Sequence, residues 1–220
     1  MEDDLEGRVI DAAMKLAETR GWHHTTLGAI AASADLPLSE LRRLFPSKTA
    51  ILTRLAARVD TAVLAATPVW TDRDSPRDRL FDLLMRRFDA LRDYRRGLGA
   101  VLGDLPWQPS TLWEVGKSFN LSMAWMWTAA GLESPGCCER VQRLGLAGLY
   151  LRSLRIWLND QTPDLARTMA ALDTGLRHAE SLMSITEGWY RHQPARTAAT
   201  PPDSRPGPQS VGPAPTPTTD

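Results

Sequence analysis

Histidine and cysteine are scarce in this chain of 220 residues, which holds four of the first and two of the second. No Cys-x-x-Cys or His-x-x-x-His spacing links His23, His24, His178, His192, Cys137 or Cys138, so no metal site is expected. The two cysteines are adjacent, and a vicinal disulfide is strained; reduced thiols in a cytoplasm are expected, not a secreted framework. The chain also lacks a G-x-S-x-G turn and a phosphate-cradling glycine loop, and its carboxylates form no obvious inward pair. Catalysis is therefore not expected, and neither is a cofactor. Formal net charge is zero, so no global field draws the chain to nucleic acid or anionic lipid; DNA binding would need a local patch. The start MEDDLEGRV lacks the apolar core of a signal peptide. The most apolar stretch, 144–158, is interrupted by Arg152 and Arg155 and is too short to span a bilayer.

What the chain does have is helical periodicity from end to end, with no convincing strand. The first stripe is Leu5, Val9, Ala12, Ala13, Leu16 and Ala17, closed by Gly21 as a helix stop, with Trp22 packing back on it. Thr25 or Thr26 caps a second helix with Leu27, Ile30 and Ala31 inward. Asp35 occupies a turn that needs left-handed backbone, and Pro37 opens a third helix with Leu41 and Phe45 on its inner face. Pro46 stops that helix, and Ser47 caps a longer one running to about Ala66. The spacing then predicts an arginine-rich helix over 77–96 and a short one near 98–104. Aromatic and methionine residues crowd a helix over 110–130, followed by a turn at 131–136, a helix over 139–158, and a Pro163-started helix to about Thr186. From 193 onward proline dominates and large apolar residues nearly vanish, which predicts a disordered tail. The expected organisation is all-α: a three-helix head (1–46), a connecting helix and loop (47–75), a larger helical body (76–190) and the tail (193–220).

Short helix, tight turn and second short helix over 25–45 form the outline of a helix-turn-helix. With Leu41 and Phe45 inward, Leu38, Ser39, Arg42 and Arg43 turn outward, joining hydroxyl and guanidinium groups on one face. Such a face can read bases or grip phosphates, although an arginine pair can equally be plain solvated surface. Thr26 and Lys48 stand at helix starts where phosphate contact is favoured. Residues 1–60 hold eight Lys/Arg against nine Asp/Glu, so the head as a whole is not basic. In the body, Leu84, Phe88, Trp113, Met123 and Trp127 are candidates for an apolar ligand pocket, with ordinary core as the alternative. The pairs Arg86-Arg87 and Arg95-Arg96 suit either ion pairs or anionic lipid.

The run from Val9 to Leu52, above all Leu41-x-x-x-Phe45-Pro46-Ser47-Lys48, resembles the N-terminal domain of TetR-type regulators. The resemblance implies a DNA-binding head on a helical body that binds a small apolar ligand and dimerises through its last two helices. It also implies DNA contact by Thr26, Ser39 and Lys48, a near-palindromic double-stranded operator, and action as a repressor. Under it, Gly145, Gly148, Arg152 and Leu172 become candidates for the homodimer interface, with internal packing as the other use of the glycines. The family usually carries tyrosine and histidine where this chain has Arg42 and Leu44. Further on, LAGLYLRSLRIWLNDQTPDLARTMAALDTGL (146–176) is similar to the C-terminal helices of the ubiquinone-biosynthesis lipid-binding proteins. Those share the fold without using it on DNA, which implies an alternative: a lipid- or isoprenoid-binding accessory protein with peripheral lipid contact.

Overall fold

Local capping chemistry sets most of the helix boundaries. The structure, a computed structural model, describes the backbone of residues 2–71, 73–132 and 137–191, and their side chains except at 2, 137–139 and 182–191. The expected tail, most of the turn at 131–136 and the two cysteine side chains lie outside the described residues. The helices are α1 (Glu2–Arg20), α2 (Leu27–Ser33), α3 (Leu38–Leu44), α4 (Lys48–Ala65), α5 (Pro76–Ala90), α6 (Arg95–Asp104), α7 (Pro109–Ala129), α8 (Cys137–Asn159) and α9 (Ala166–Arg191). No strand occurs among the described residues, and no helix there is long and apolar enough to cross a membrane.

Residues 1–183 form one unit, and a single hydrophobic core runs through it from Val9 to Leu176. The apolar stripe of α1 is buried at Val9, Ala12, Ala13 and Ala17, and Trp22 is fully enclosed beside it. Gly21 adopts φ 82°, which a side chain would strain, and its N–H returns to Ala17 O at 2.9 Å to close α1. α1 packs chiefly on α6, and α4 chiefly on α7. At the α1–α6 crossing, a Cβ on Gly97 would lie 2.5 Å from Met14 O. Gly97, in a region that reads as a loose connection, is thus what lets two helix backbones approach.

Several boundaries differ from the sequence expectation. The helix predicted over 77–96 stops at Ala90, where Leu91 turns into the core and a 3-10 turn, Arg92–Tyr94, redirects the chain. Tyr94 Oη donates to Asp11 Oδ1 at 2.8 Å, fixing that turn to α1. α6 then begins at Arg95, whose guanidinium donates to Asp160 O and lies 5.2 Å from the Trp157 ring. The last helix starts at Ala166, not at Pro163, because Leu165 takes left-handed backbone (φ 54°) to bury its side chain. Thr162 Oγ1 accepts from Ala166 N at 3.0 Å and supplies the cap.

Asp160, fully buried, organises this corner. Its carboxylate accepts from the N–H and hydroxyl of Thr162 at 3.1 and 2.6 Å, and from those of Thr168 at 2.8 Å each. Burial alone would raise its pKa, but these four bonds outweigh that and hold the carboxyl well below the usual carboxylate range. A depressed folded-state pKa gives stability that is fully present above the unfolded value near ~3.9 and is lost as acid protonates the group. Asp160→Asn should therefore lower the urea midpoint at neutral pH, and the gap to the natural protein should narrow below about pH 4.

Gly97→Ala should lower the unfolding free energy by about 1–3 kcal/mol through backbone overlap at the α1–α6 crossing. Gly103→Ala on the same helix meets nothing within 4 Å and should raise stability by about 0.5–1 kcal/mol. Denaturant titration of both variants checks the contrast.

Candidate DNA-binding face and ligand cavity

The head is assembled from caps that satisfy one another. Thr26 Oγ1 accepts from Ala29 N at 3.2 Å to start α2, and the residue is exposed. α2 ends in a left-handed residue, Asp35 (φ 52°), with Leu36 N bonded to Ala31 O at 3.0 Å. That is the Schellman arrangement, with aspartate in the usual glycine position. Arg8 reaches over from α1 and donates from Nη2 to Ala34 O at 2.5 Å, occupying another carbonyl at the same helix end. α3 follows, with Leu41 and Phe45 buried and Leu38, Ser39, Arg42 and Arg43 exposed on its far side. Leu44 is half-buried against the core, so its place is taken by packing and not by a polar contact.

Arg43 does not project alone. Its Nε and Nη2 donate to Glu40, with the shortest contact at 2.8 Å, and Glu40 is held below its ordinary pKa by that bond. Exposed pairs of this kind are worth about 0–1 kcal/mol, so an incoming phosphate or base can replace the carboxylate. Glu40 was overlooked in the sequence, although its i, i+3 spacing from Arg43 is legible there.

Lys48 has a structural engagement that the sequence does not announce. Its Nζ donates to Trp22 O at 2.7 Å and Thr25 O at 3.0 Å, and sits 4.7 Å from the Trp22 ring centroid. Partial burial pulls its pKa down, while Asp104 pushes it back up. Asp104 Oδ2 in turn accepts from His23 N at 2.7 Å. The α1–α2 loop is thus clasped from two sides, by the first residue of α4 and the last of α6. Asp104 was missed because nothing local marks it; its partner lies 81 positions away.

In the body, a cavity of about 180 Å³ opens between α4, α5, α6, α7 and α8. Leu52 and Leu55, Leu98 and Val101, Val115 and Phe119, and Leu154 supply apolar walls, while Arg87 and Tyr150 supply the buried polar atoms. Leu112 and Leu151, both partly exposed, lie at its rim. The residues expected to line a pocket fall elsewhere. Leu84, Phe88, Met123 and Trp127 are core, with Phe88 stacked on Tyr150 at 4.9 Å behind the wall. Trp113 is 70% exposed, because positions 112, 115, 116 and 119 of α7 face the cavity and 113 is turned about 100° from them.

Of the four interface candidates, Gly145 and Gly148 are exposed, and a Cβ on either would meet nothing within 4 Å among the described residues. They share an outward strip of α8 with exposed Val141, Leu144 and Arg152. Leu172 is fully buried within its own chain and is unavailable to a partner. The close α8–α9 approach is made at Gly175 instead, where a Cβ would lie 2.8 Å from the Leu149 side chain.

Residues 9–55 match the family described as bacterial regulatory proteins, tetR family, and residues 119–183 match the COQ9 family. Over 44 residues the chain is 50% identical to the HTH-type transcriptional regulator YjdC of Escherichia coli K12, a match covering 20% of this chain. That match spans only 23% of the length of the relative. A TetR transcriptional regulator from Nitrosomonas europaea superposes with a TM-score of 0.65 at 22% identity, over 81% of this chain and 99% of that one. A TetR transcriptional regulator from Rhodococcus sp. RHA1 gives 0.58 at 19% identity, over 81% and 97%. NalD of Pseudomonas aeruginosa, the secondary repressor of the MexAB-OprM multidrug efflux pump, gives 0.50 at 18% identity, over 80% and 95%.

The fold is that of the TetR-type regulators. A helix-turn-helix head of TetR type and a C-terminal segment of COQ9 type therefore occur in one chain. Residues 56–118 separate the two matches, and the cavity takes Leu52 and Leu55 from the first, Phe119, Tyr150 and Leu154 from the second, and Leu98 and Val101 from the segment between them.

The clasp on the α1–α2 loop should be measurable. Lys48→Met should lower unfolding free energy by about 1–3 kcal/mol, since it removes charge-assisted bonds from two carbonyls. Hydrogen exchange should report the loss locally, at residues 21–28, before it reports it in the body.

Proposed function

We propose that this chain is a cytoplasmic, homodimeric repressor that reads a near-palindromic DNA operator with α3 and responds to a small apolar ligand held in the body. The observation carrying the reading is the far side of α3. Ser39, Arg42 and Arg43 are exposed together over buried Leu41 and Phe45, and Thr26 at the start of α2 is exposed as well. Hydroxyls and guanidinium groups on a short rigid helix are what base edges and phosphates require. Two heads in a dimer would engage half-sites about one turn apart, roughly 34–36 Å. The outward strip of α8 with Gly145, Gly148 and Arg152 is the surface we assign to the dimer, since small residues there permit close helix approach.

Coupling between ligand and DNA follows from the connections of α6. Leu98, Val101 and Leu102 line the cavity, and Asp104 at the end of the same helix holds the head through His23 N. A ligand that displaces α6 would strain this bond and the α1–α2 loop with it. That provides a differential interaction between two head positions, which any such response requires.

A second reading is favoured by the COQ9-type match: a lipid- or isoprenoid-binding accessory protein that has the fold without the DNA activity. The match includes Phe119, Tyr150 and Leu154 of the cavity wall, so this reading uses the same cavity and leaves the head idle.

Retention of promoter DNA from the protein's own locus, at low and moderate salt, separates the two. Arg43→Ala should weaken specific retention by about tenfold or more without moving the unfolding midpoint. Glu40→Gln should strengthen it, because the variant removes a carboxylate that competes for Arg43. Absence of any sequence-specific retention, together with a co-purified isoprenoid or phospholipid, would favour the second reading.

A further inference from the structure

The cavity is apolar almost throughout, yet it borders two buried hydrogen-bond donors that nothing among the described residues satisfies. Tyr150 is 1% exposed, and its Oη has no hydrogen-bond partner; the same is true of Arg87 Nε. The phenol is hemmed in by Phe88, stacked on it at 4.9 Å, and Phe119, tilted at 5.8 Å, while the Arg87 guanidinium lies 5.6 Å from its ring centroid. Arginine cannot accept a hydrogen bond, so its nearness does nothing for the phenol proton. Buried donors left unmade are unfavourable, and a ligand oxygen is the kind of group that would complete them.

The charge around these donors narrows the ligand further. The other end of Arg87 is committed: Nη1 donates to Asp60, Nη2 contacts Ser122 Oγ at 3.4 Å, and Ser122 donates to Asp60 in turn. Arg87 and Asp60 are both buried, so the cluster is neutral as it stands. A carboxylate entering the cavity would bring an unmatched charge into apolar surroundings, whereas a carbonyl would not. Burial pushes the Tyr150 phenol up against the pull of Arg87, so it keeps the proton it needs to donate.

We propose that the cavity selects a neutral ligand with an apolar body and one hydrogen-bond-accepting carbonyl oxygen, received by Tyr150 Oη beside Arg87 Nε. A ketone, ester or quinone has this chemistry; a free fatty acid does not. The proposal rests on the reading of the body as a ligand-binding domain, and it holds for either use of the head. The volume, about 180 Å³, suits a ring with a short substituent, given that a cavity of about 150 Å³ takes benzene. Longer bodies would leave past Leu112 and Leu151 at the rim.

Three near-isosteric probes test it on the full chain: ethylbenzene, acetophenone and benzoate, titrated by calorimetry. Acetophenone should bind about tenfold tighter than ethylbenzene, the effect of one added buried hydrogen bond, and benzoate should bind more weakly than acetophenone. Tyr150→Phe, which keeps the ring and its stacking, should bring acetophenone down to the level of ethylbenzene and leave ethylbenzene unchanged. The infrared C=O stretch of bound acetophenone should lie lower in the natural protein than in Tyr150→Phe, a reading independent of affinity. Equal binding of ethylbenzene and acetophenone, a preference that survives Tyr150→Phe, or tightest binding of benzoate would overturn the proposal. If none of the three binds, the ligand-binding reading of the cavity falls with it; ethylbenzene binding without a ketone preference sinks this proposal alone.

Discussion

One buried ion pair, Arg87 with Asp60, stands where the elements around the cavity converge. Asp60 comes from α4, Arg87 from α5, and Ser122, which bonds to both, from α7. Burying two charges is unfavourable in itself, and apolar residues of the same volume would often be as stable. Losing one partner, in contrast, leaves an isolated buried charge, typically at a cost of about 3–5 kcal/mol. The pair therefore specifies an arrangement more than it strengthens one. It fixes α4 against α5 and α7 at the depth of the cavity, and it leaves Tyr150 no acceptor among its neighbours.

α4 carries that constraint to the head. Its first residue, Lys48, grips the carbonyls of Trp22 and Thr25, its middle lines the cavity at Leu52 and Leu55, and Asp60 closes the ion pair. α6 runs a parallel route, from Arg95 on Asp160 O, past the cavity at Leu98 and Val101, to Asp104 on His23 N. Two helices thus border the cavity and end on the same six-residue loop before α2. A change in cavity contents has few other places to be felt in the head.

Features governed by neighbours in sequence were legible without a structure. Gly21, Asp35 and Ser47 each sit where the backbone or a cap demands such a residue, and Leu41 with Phe45 gave the inward face of α3. What stayed hidden depends on distant partners. Nothing in the sequence ties Arg87 to Asp60 or Asp104 to His23, and the start of α9 was misplaced because a buried Leu165 prefers strain to exposure. Of the positions expected to line the cavity, Leu84, Phe88, Met123 and Trp127 fill the core, while Phe119 and Tyr150 join aliphatic residues of α4, α6, α7 and α8 in its wall. Size and apolarity alone do not distinguish a wall from a filling.

The head's charge reads differently once partners are known. Nine acids in residues 1–60 outnumber the bases, yet several are spent away from α3. Asp60 is buried with Arg87, Asp11 accepts from Tyr94, Glu18 pairs with Arg96, and Glu6 pairs with Arg54. Near the exposed face of α3 the acids are Asp35 and Glu40, and Glu40 is already bonded to Arg43. A duplex approaching that face would meet Arg42 and Arg43 first, since Lys48 is committed to the Trp22 and Thr25 carbonyls. Counterion release scales with the few cations at the contact and not with the charge of the domain. A neutral head is therefore compatible with DNA binding, provided that binding is modest, with a salt slope set by those few cations.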